Sequence, residues 1–149
     1  MVHGSWLLGT RPPVVSVCER PLSSRDFLSY EDKYLRGGKQ GGLSASSRQI
    51  PAEIPEEVAK RLQELALQAF RATDCGGVAR VDFLVQPESW TIYLNEINTI
   101  PGSLSFYLWE ASGLKGAEVL ERLIESARER QREKQLTIYS AQDTLALIK

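Results

Sequence analysis

Four polar residues stand where a strand-forming sequence would otherwise be apolar. Arg80 and Asp82 interrupt the series Ala79, Val81, Phe83 and Val85, and Glu96 and Asn98 continue the spacing of Ile92 and Leu94. Side chains alternate between the faces of a strand, so Arg80 and Asp82 share a face with Leu84, and Glu96 and Asn98 share one with Ile92 and Leu94. A hairpin register that sets Leu84 opposite Leu94 places Asp82 opposite Glu96 and Arg80 opposite Asn98. Opposed β-carbons lie about 5 Å apart, a distance at which two carboxylates repel unless positive charge stands between them. Arg80 can supply that charge, which makes an ion-pair cluster one reading. Asp82, Glu96 and Asn98 are also hard oxygen donors, the set Mg²⁺ prefers when phosphate and water complete its shell. Two such ions sharing Glu96 could hold the outer phosphates of ATP. Another role for oxygen ligands is the third reading.

The elements that must position these residues follow from periodicity. Residues 79–85 and 91–97 alternate as two strands joined by Gln86-Pro87-Glu88-Ser89-Trp90, a connection of hairpin length. A helix is expected before them, starting after Pro51 and Pro55, with Glu56 and Glu57 in its first turn. Its inward face is Val58, Leu62, Leu65, Ala69 and Phe70, and Asp74-Cys75-Gly76-Gly77 ends it, the glycines accepting the left-handed backbone of a cap. Asn98-Thr99-Ile100-Pro101-Gly102 is a turn, residues 103–112 are partly helical, and residues 117–132 form a second amphipathic helix. That helix turns Val119, Leu120, Leu123, Ile124 and Ala127 inward and interleaved Glu and Arg outward. Val14-Val15-Ser16-Val17-Cys18 is a short β-prone run that needs neighbouring strands, and nothing earlier in the sequence supplies several; it is read as part of a fold that has lost its N-terminal portion or as a short edge strand of a small α+β domain.

Between Asp26 and Tyr34 three aromatics, Phe27, Tyr30 and Tyr34, precede a Gly/Ser-rich stretch with little to bury. This is expected to be a mobile, omega-like loop over residues 35–50, and Lys33, Arg36, Lys39 and Arg48 suit it to close over phosphate. The resulting expectation is an α+β fold, with residues 1–133 as one partial domain and 134–149 as a tail carrying Leu136, Ile138, Leu145 and Ile148.

Composition narrows the function classes. The 149 residues carry 18 basic and 19 acidic side chains, a net charge of -1 that gives no global attraction to nucleic acid or an anionic membrane. Two cysteines, Cys18 and Cys75, support neither a disulfide scaffold nor a cysteine-rich zinc site, and Cys75 reads as a small hydrophobe. No apolar run is long enough to span a bilayer, and Met1 to Leu8 lacks the basic start of a secretory signal. A cytoplasmic setting is expected.

The segments ARVDFLV and YLNEINTIPG, preceded by YEDKY and the Gly/Ser-rich loop, resemble the C-terminal half of a D-alanine–D-alanine ligase of the ATP-grasp superfamily, over residues 14–127. The resemblance implies an ATP-grasp C-terminal domain, an antiparallel sheet with packed helices, lacking its N-terminal portions. It also implies a ligase of peptidoglycan precursor synthesis that uses ATP and two Mg²⁺ or Mn²⁺ ions, with D-alanine or a similar small molecule as substrate. Asp82 then corresponds to the first metal ligand, Glu96 to the bridging carboxylate and Asn98 to the ligand of the second ion. Arg80 corresponds to the arginine that steadies the acyl phosphate, and the Gly102 amide to the oxyanion donor. Lys33 corresponds to the lysine that reaches the terminal phosphate, and Tyr34 to the tyrosine that helps close the site. One departure concerns the acceptor: the family's serine, nine residues beyond the metal-binding asparagine, is Tyr107 here. Ser103, Ser105 or Tyr107 is then expected to receive the second carboxylate, or the acceptor is a different amino acid or hydroxy acid. The other departure is the missing N-terminal half. Its absence leaves room for a non-catalytic interaction module, predicts no turnover by this chain alone, and predicts apolar exposure around Val14, Val15 and Val17, with self-association.

Overall fold

The computed structural model describes residues 1–22 and 48–136. Strand β1 (Val2–Gly9) runs down the middle of a four-stranded antiparallel sheet of order β2-β1-β5-β6, where β2 is Val14–Val15, β5 is Gly77–Val85 and β6 is Ile92–Asn98. Two short strands, β3 (Arg20–Pro21) and β4 (Arg48–Gln49), pair beside it. The helices are α1 (Glu56–Ala72), α2 (Phe106–Ala111) and α3 (Gly116–Leu136).

β1 is a neighbour for Val14–Val15 that the residues ahead of them did not announce. Its sequence VHGSWLLG lacks a polar–apolar alternation because nearly every residue is buried, so period two carries no signal there. His3, Ser5 and Leu7 pair with Phe83, Val81 and Ala79, whereas Gly4, Trp6 and Leu8 pair with Asp82, Arg80 and Val78. The first face joins Leu7, Ala79, Val81, Phe83 and Val85 to Leu62, Ala66 and Phe70 of α1. On the second, Trp6 and Leu8 pack with Leu108 and Trp109 of α2 and Val119 of α3. Val14 and Val17 pack against the second cluster and Val15 against the first. All three are half-buried instead of exposed, because β1 supplies the neighbour that the sequence reading lacked.

α1 forms as its spacing predicts, but its cap differs. The Cys75 amide donates to the Phe70 carbonyl and the Asp74 amide to that of Arg71, the paired bonds of a Schellman end. The left-handed residue is Asp74 (φ 50), and Gly77 (φ 80) instead opens β5. α3 also departs from expectation. It continues through residue 136, across the proposed boundary at 133, and its inward stripe is Val119, Leu123 and Ser126. Leu120 and Ile124 are exposed, as is Ala127. The inward stripe turns polar toward its end: the Ser126 hydroxyl meets that of Thr10 and accepts from the Gly77 amide at 3.0 Å, and Arg130 pairs with Asp74 at 3.1 Å. A hydrophobic pattern cannot report a face held this way. Among the described residues no helix is long and apolar enough to cross a membrane. The tail from residue 137 lies outside the described residues.

Leu62→Ala removes a fully buried side chain and is expected to lower the unfolding free energy by about 2–5 kcal/mol, whereas Leu120→Ala should change it by less than about 0.5 kcal/mol. Urea midpoints of the two variants check the assignment of the α3 face. His3 provides a pH test. It is fully buried with no partner for either ring nitrogen among the described residues. Burial first, then the charges of Arg20 and the N-terminal ammonium, lower its pKa to about 4. A depressed histidine favours the neutral form, so its contribution is present above pH 6.5 and is lost as pH falls toward 4, on the order of 3 kcal/mol. Unfolding curves across this window should steepen in acid for the native chain, and His3→Leu should flatten the dependence.

Candidate functional site

The second face of the sheet carries two rows of residues across its strands. Glu19 forms an antiparallel bridge with Gly4, Gly4 pairs with Asp82, and Asp82 pairs with Glu96. The next row is Trp6, Arg80 and Asn98. The expected pairings of Asp82 with Glu96 and of Arg80 with Asn98 are therefore present, but they arise differently. The register slips between Asp82 and Phe83, so Phe83 opposes Leu94 and Leu84 opposes Tyr93, not Leu94. Asn95 is the extra residue of this bulge, and its insertion reverses the facing of everything before it. Ile92 consequently packs on the first core together with Ile97, leaving Glu96 and Asn98 on the polar face without it. Counting by twos could not foresee a bulge.

Arg80 grips Asp82 along one edge of its guanidinium, with Nε donating to both carboxylate oxygens at 2.8 and 3.0 Å and Nη2 to Oδ2 at 2.7 Å. The same Nη2 reaches Glu96 Oε1 at 3.5 Å. Burial draws the Arg80 pKa down, but the hydrogen bond and charge of Asp82, followed by the charges of Glu96 and Glu19, outweigh it and hold the group above its ordinary value. The ion-pair cluster is thus built, with Asp82 buried and Glu96 more open at the sheet edge. Among the described residues no group of three histidine, cysteine or carboxylate side chains is placed to hold a metal. The donor set available at this point is two carboxylates and an amide, hard oxygens that suit Mg²⁺ once phosphate and water supply the remaining ligands.

Asn98 also shapes the turn that follows, its Oδ1 accepting from the Ile100 amide at 3.1 Å. Gly102 lies exposed in that turn, and open space surrounds its Cα. The Ser103 and Ser105 hydroxyls bond each other at 3.1 Å, and Ser105 is buried with a left-handed backbone (φ 48) at the start of α2. Lys33 and Tyr34 lie outside the described residues, as does the 35–50 loop up to Arg48.

Two residues of the site were missed in the sequence. Glu19 is buried and its carboxylate gathers three donors: Trp6 Nε1 at 3.2 Å, Arg48 Nη1 at 3.1 Å and the Tyr107 hydroxyl at 3.2 Å. Arg48 also donates to the Tyr107 oxygen and lies over its ring, 5.3 Å from the centroid. Burial raises the Tyr107 pKa, a hydrogen bond with Ser105 opposes this, and the charge of Glu19 adds to the rise. Glu19 left one trace in the sequence, an acid directly after a β-prone apolar run. Arg48 carries no mark in the sequence beyond its place in a basic loop.

Arg80→Gln would leave Asp82, Glu96 and Glu19 without their central cation. The variant should lose about 2–3 kcal/mol of stability at neutral pH. Millimolar Mg²⁺ should narrow the deficit at neutral pH, an outcome that separates a metal-ready carboxylate pair from a plain ion-pair cluster.

A family model described as D-ala D-ala ligase C-terminus matches residues 6–125. The chain is 41% identical to a D-alanine–D-alanine ligase of Solibacter usitatus over 90% of its own length and 40% of the relative's. It is also 41% identical to that of Acetivibrio thermocellus, over 83% of the chain and 32% of the relative. Among solved structures, the D-alanine–D-alanine ligase of Coxiella burnetii superposes with a TM-score of 0.68 at 31% identity, covering 90% of this chain and 33% of that one. The VanG D-Ala:D-Ser ligase of Enterococcus faecalis does so with a TM-score of 0.64 at 31% identity, covering 83% and 35%. The chain therefore spans about a third to two fifths of the length of the curated relatives it matches. With Asp82, Glu96 and Asn98 all inside a matched region that covers most of the chain, the chain belongs to the D-Ala–D-Ala ligase C-terminal family.

Proposed function

We propose that this chain is the C-terminal part of an ATP-dependent, ADP-forming carboxylate–amine ligase of the D-alanine–D-alanine type, acting on small molecules in peptidoglycan precursor synthesis in the cytoplasm. The observation that carries this reading is the cross-strand placement of Asp82 against Glu96 and of Arg80 against Asn98, on a face left open by the helices that cover its other end. Asp82, Glu96 and Asn98 would hold two Mg²⁺ or Mn²⁺ ions, with Glu96 shared. When bound, these ions offset the charge of the outer phosphates of ATP.

Arg80 does the next part. Its guanidinium already lies between Asp82 and Glu96, where negative charge would grow as phosphate transfers to a substrate carboxylate and as an amine then attacks the acyl phosphate. The Gly102 amide, exposed in the turn after β6, would donate to the developing oxyanion. Lys33 and Tyr34 would reach the terminal phosphate and close the site against water that would hydrolyse the acyl phosphate. The remaining wall of the nucleotide cleft would come from an N-terminal portion or from an associated chain. A different acceptor is a second reading: Tyr107 stands at the serine position of the family motif, and one similar protein is a D-Ala:D-Ser ligase.

The test uses the complete enzyme. Glu96→Gln should weaken Mg²⁺–ATP binding well beyond the exposed Glu110→Gln control, and equal titration curves would sink the bridging role. The 149-residue chain alone should release no ADP above its own Glu96→Gln variant when supplied with ATP, Mg²⁺ and D-alanine, because misplacement of the reacting groups alone can cost about a hundredfold.

A further inference from the structure

We propose that Arg48 takes the carboxylate of the acceptor amino acid, with Glu19 and Tyr107 as the positioning residues that hold it. This rests on the ligase reading above and names the part of the site that binds the second substrate.

Two of the three hydroxyl protons expected for this task are engaged elsewhere. Tyr107 donates its proton to Glu19, and Ser103 and Ser105 bond each other. Arg48 has the opposite character. Its Nη1 is committed to Glu19 and Tyr107, which fixes the plane of the guanidinium, and the Tyr107 ring supports it from below. Its Nε–H is removed from water and has no acceptor among the described residues. An unmet buried donor costs about 1–3 kcal/mol, which a ligand oxygen would recover. Nε and Nη2 form the edge of a guanidinium that matches both oxygens of a carboxylate. Arg80 uses this edge on Asp82 in the same molecule.

The location suits an acceptor. Glu19 lies in the same cross-strand row as Asp82, separated from it by Gly4. Two strand spacings, about 10 Å of backbone, separate Glu19 from Asp82, and Arg48 is held on Glu19. An amino acid held there by its carboxylate presents its amine toward the acyl phosphate. Gly4 permits this arrangement: a β-carbon at that position would sit 3.2 Å from Asp82 Oδ1, close enough to displace that carboxylate, and in ordinary contact with Glu19 Oε1 at 3.7 Å.

The experiment follows the Arg48 Nε–Hε resonance of the ¹⁵N-labelled chain during titration with D-alanine, D-serine and D-alaninamide, the last lacking a carboxylate. D-alanine or D-serine should shift the resonance saturably and D-alaninamide should not. Arg48→Lys, with an unchanged urea midpoint, should weaken the affinity by about tenfold because an ammonium cannot make the fork. Tyr107→Phe, which keeps the ring beneath the guanidinium, should retain more of the response than Tyr107→Ala. A silent Arg48, an equal response to D-alaninamide, or native affinity in Arg48→Lys would overturn the inference. A parallel titration with Mg²⁺–ADP, read at Glu96 in the complete enzyme, reports separately on the ligase reading. A response at Glu96 with silence at Arg48 removes only the acceptor assignment, and silence at Glu96 counts against the ligase reading itself.

Discussion

Three carboxylates stand in one row across this sheet, at Glu19, Asp82 and Glu96, with a glycine in the gap between the first two. Like charges at strand spacing repel, and they do so more strongly where side chains are buried. The fold answers with two guanidinium groups of distinct geometry. Arg80 bridges Asp82 and Glu96 from the neighbouring row, and Arg48 reaches Glu19 from β4. The rest of the architecture is arranged around keeping this row in register.

Each half of the core contributes to that arrangement. The α1 face is apolar and holds β1 and β5 together through Leu62, Ala66 and Phe70. The opposite face is divided: Trp6, Leu8, Leu108, Trp109 and Val119 fill one end, and the charged rows occupy the other. Trp6 belongs to both, since its ring packs in the cluster while its Nε1 donates to Glu19. The apolar packing therefore sets the position of the charged network directly, through one residue. The bulge at Asn95 completes the division by sending Ile92 and Ile97 to the core and Glu96 and Asn98 to the site.

The chemistry of the β5–β6 hairpin was legible because its polar residues broke an apolar pattern at spacings a strand makes meaningful. Arg80, Asp82, Glu96 and Asn98 are brought together as their spacing implied, and α1 follows its period from Glu56 to Ala72. Glu19 and Arg48 were not legible, because nearly thirty positions separate them and only the pairing of β3 with β4 brings them together. Tyr107 was marked by its departure from a motif, but its partners were not.

The sequence alone determined an α+β chain with a carboxylate-bearing hairpin, an amphipathic helix before it and a membership in the D-Ala–D-Ala ligase C-terminal family. These properties rest on short-range spacing, which local periodicity and motif order report directly. Tertiary structure decided the rest: β1 as the central strand, Asp74 as the cap residue, the polar end of α3 and the Glu19–Arg48–Tyr107 network. A strand buried on both faces loses its alternation, and a helix face closed by hydrogen bonds loses its hydrophobic stripe. In both cases the partner that explains the residue lies far away in the chain, so only folding reveals it.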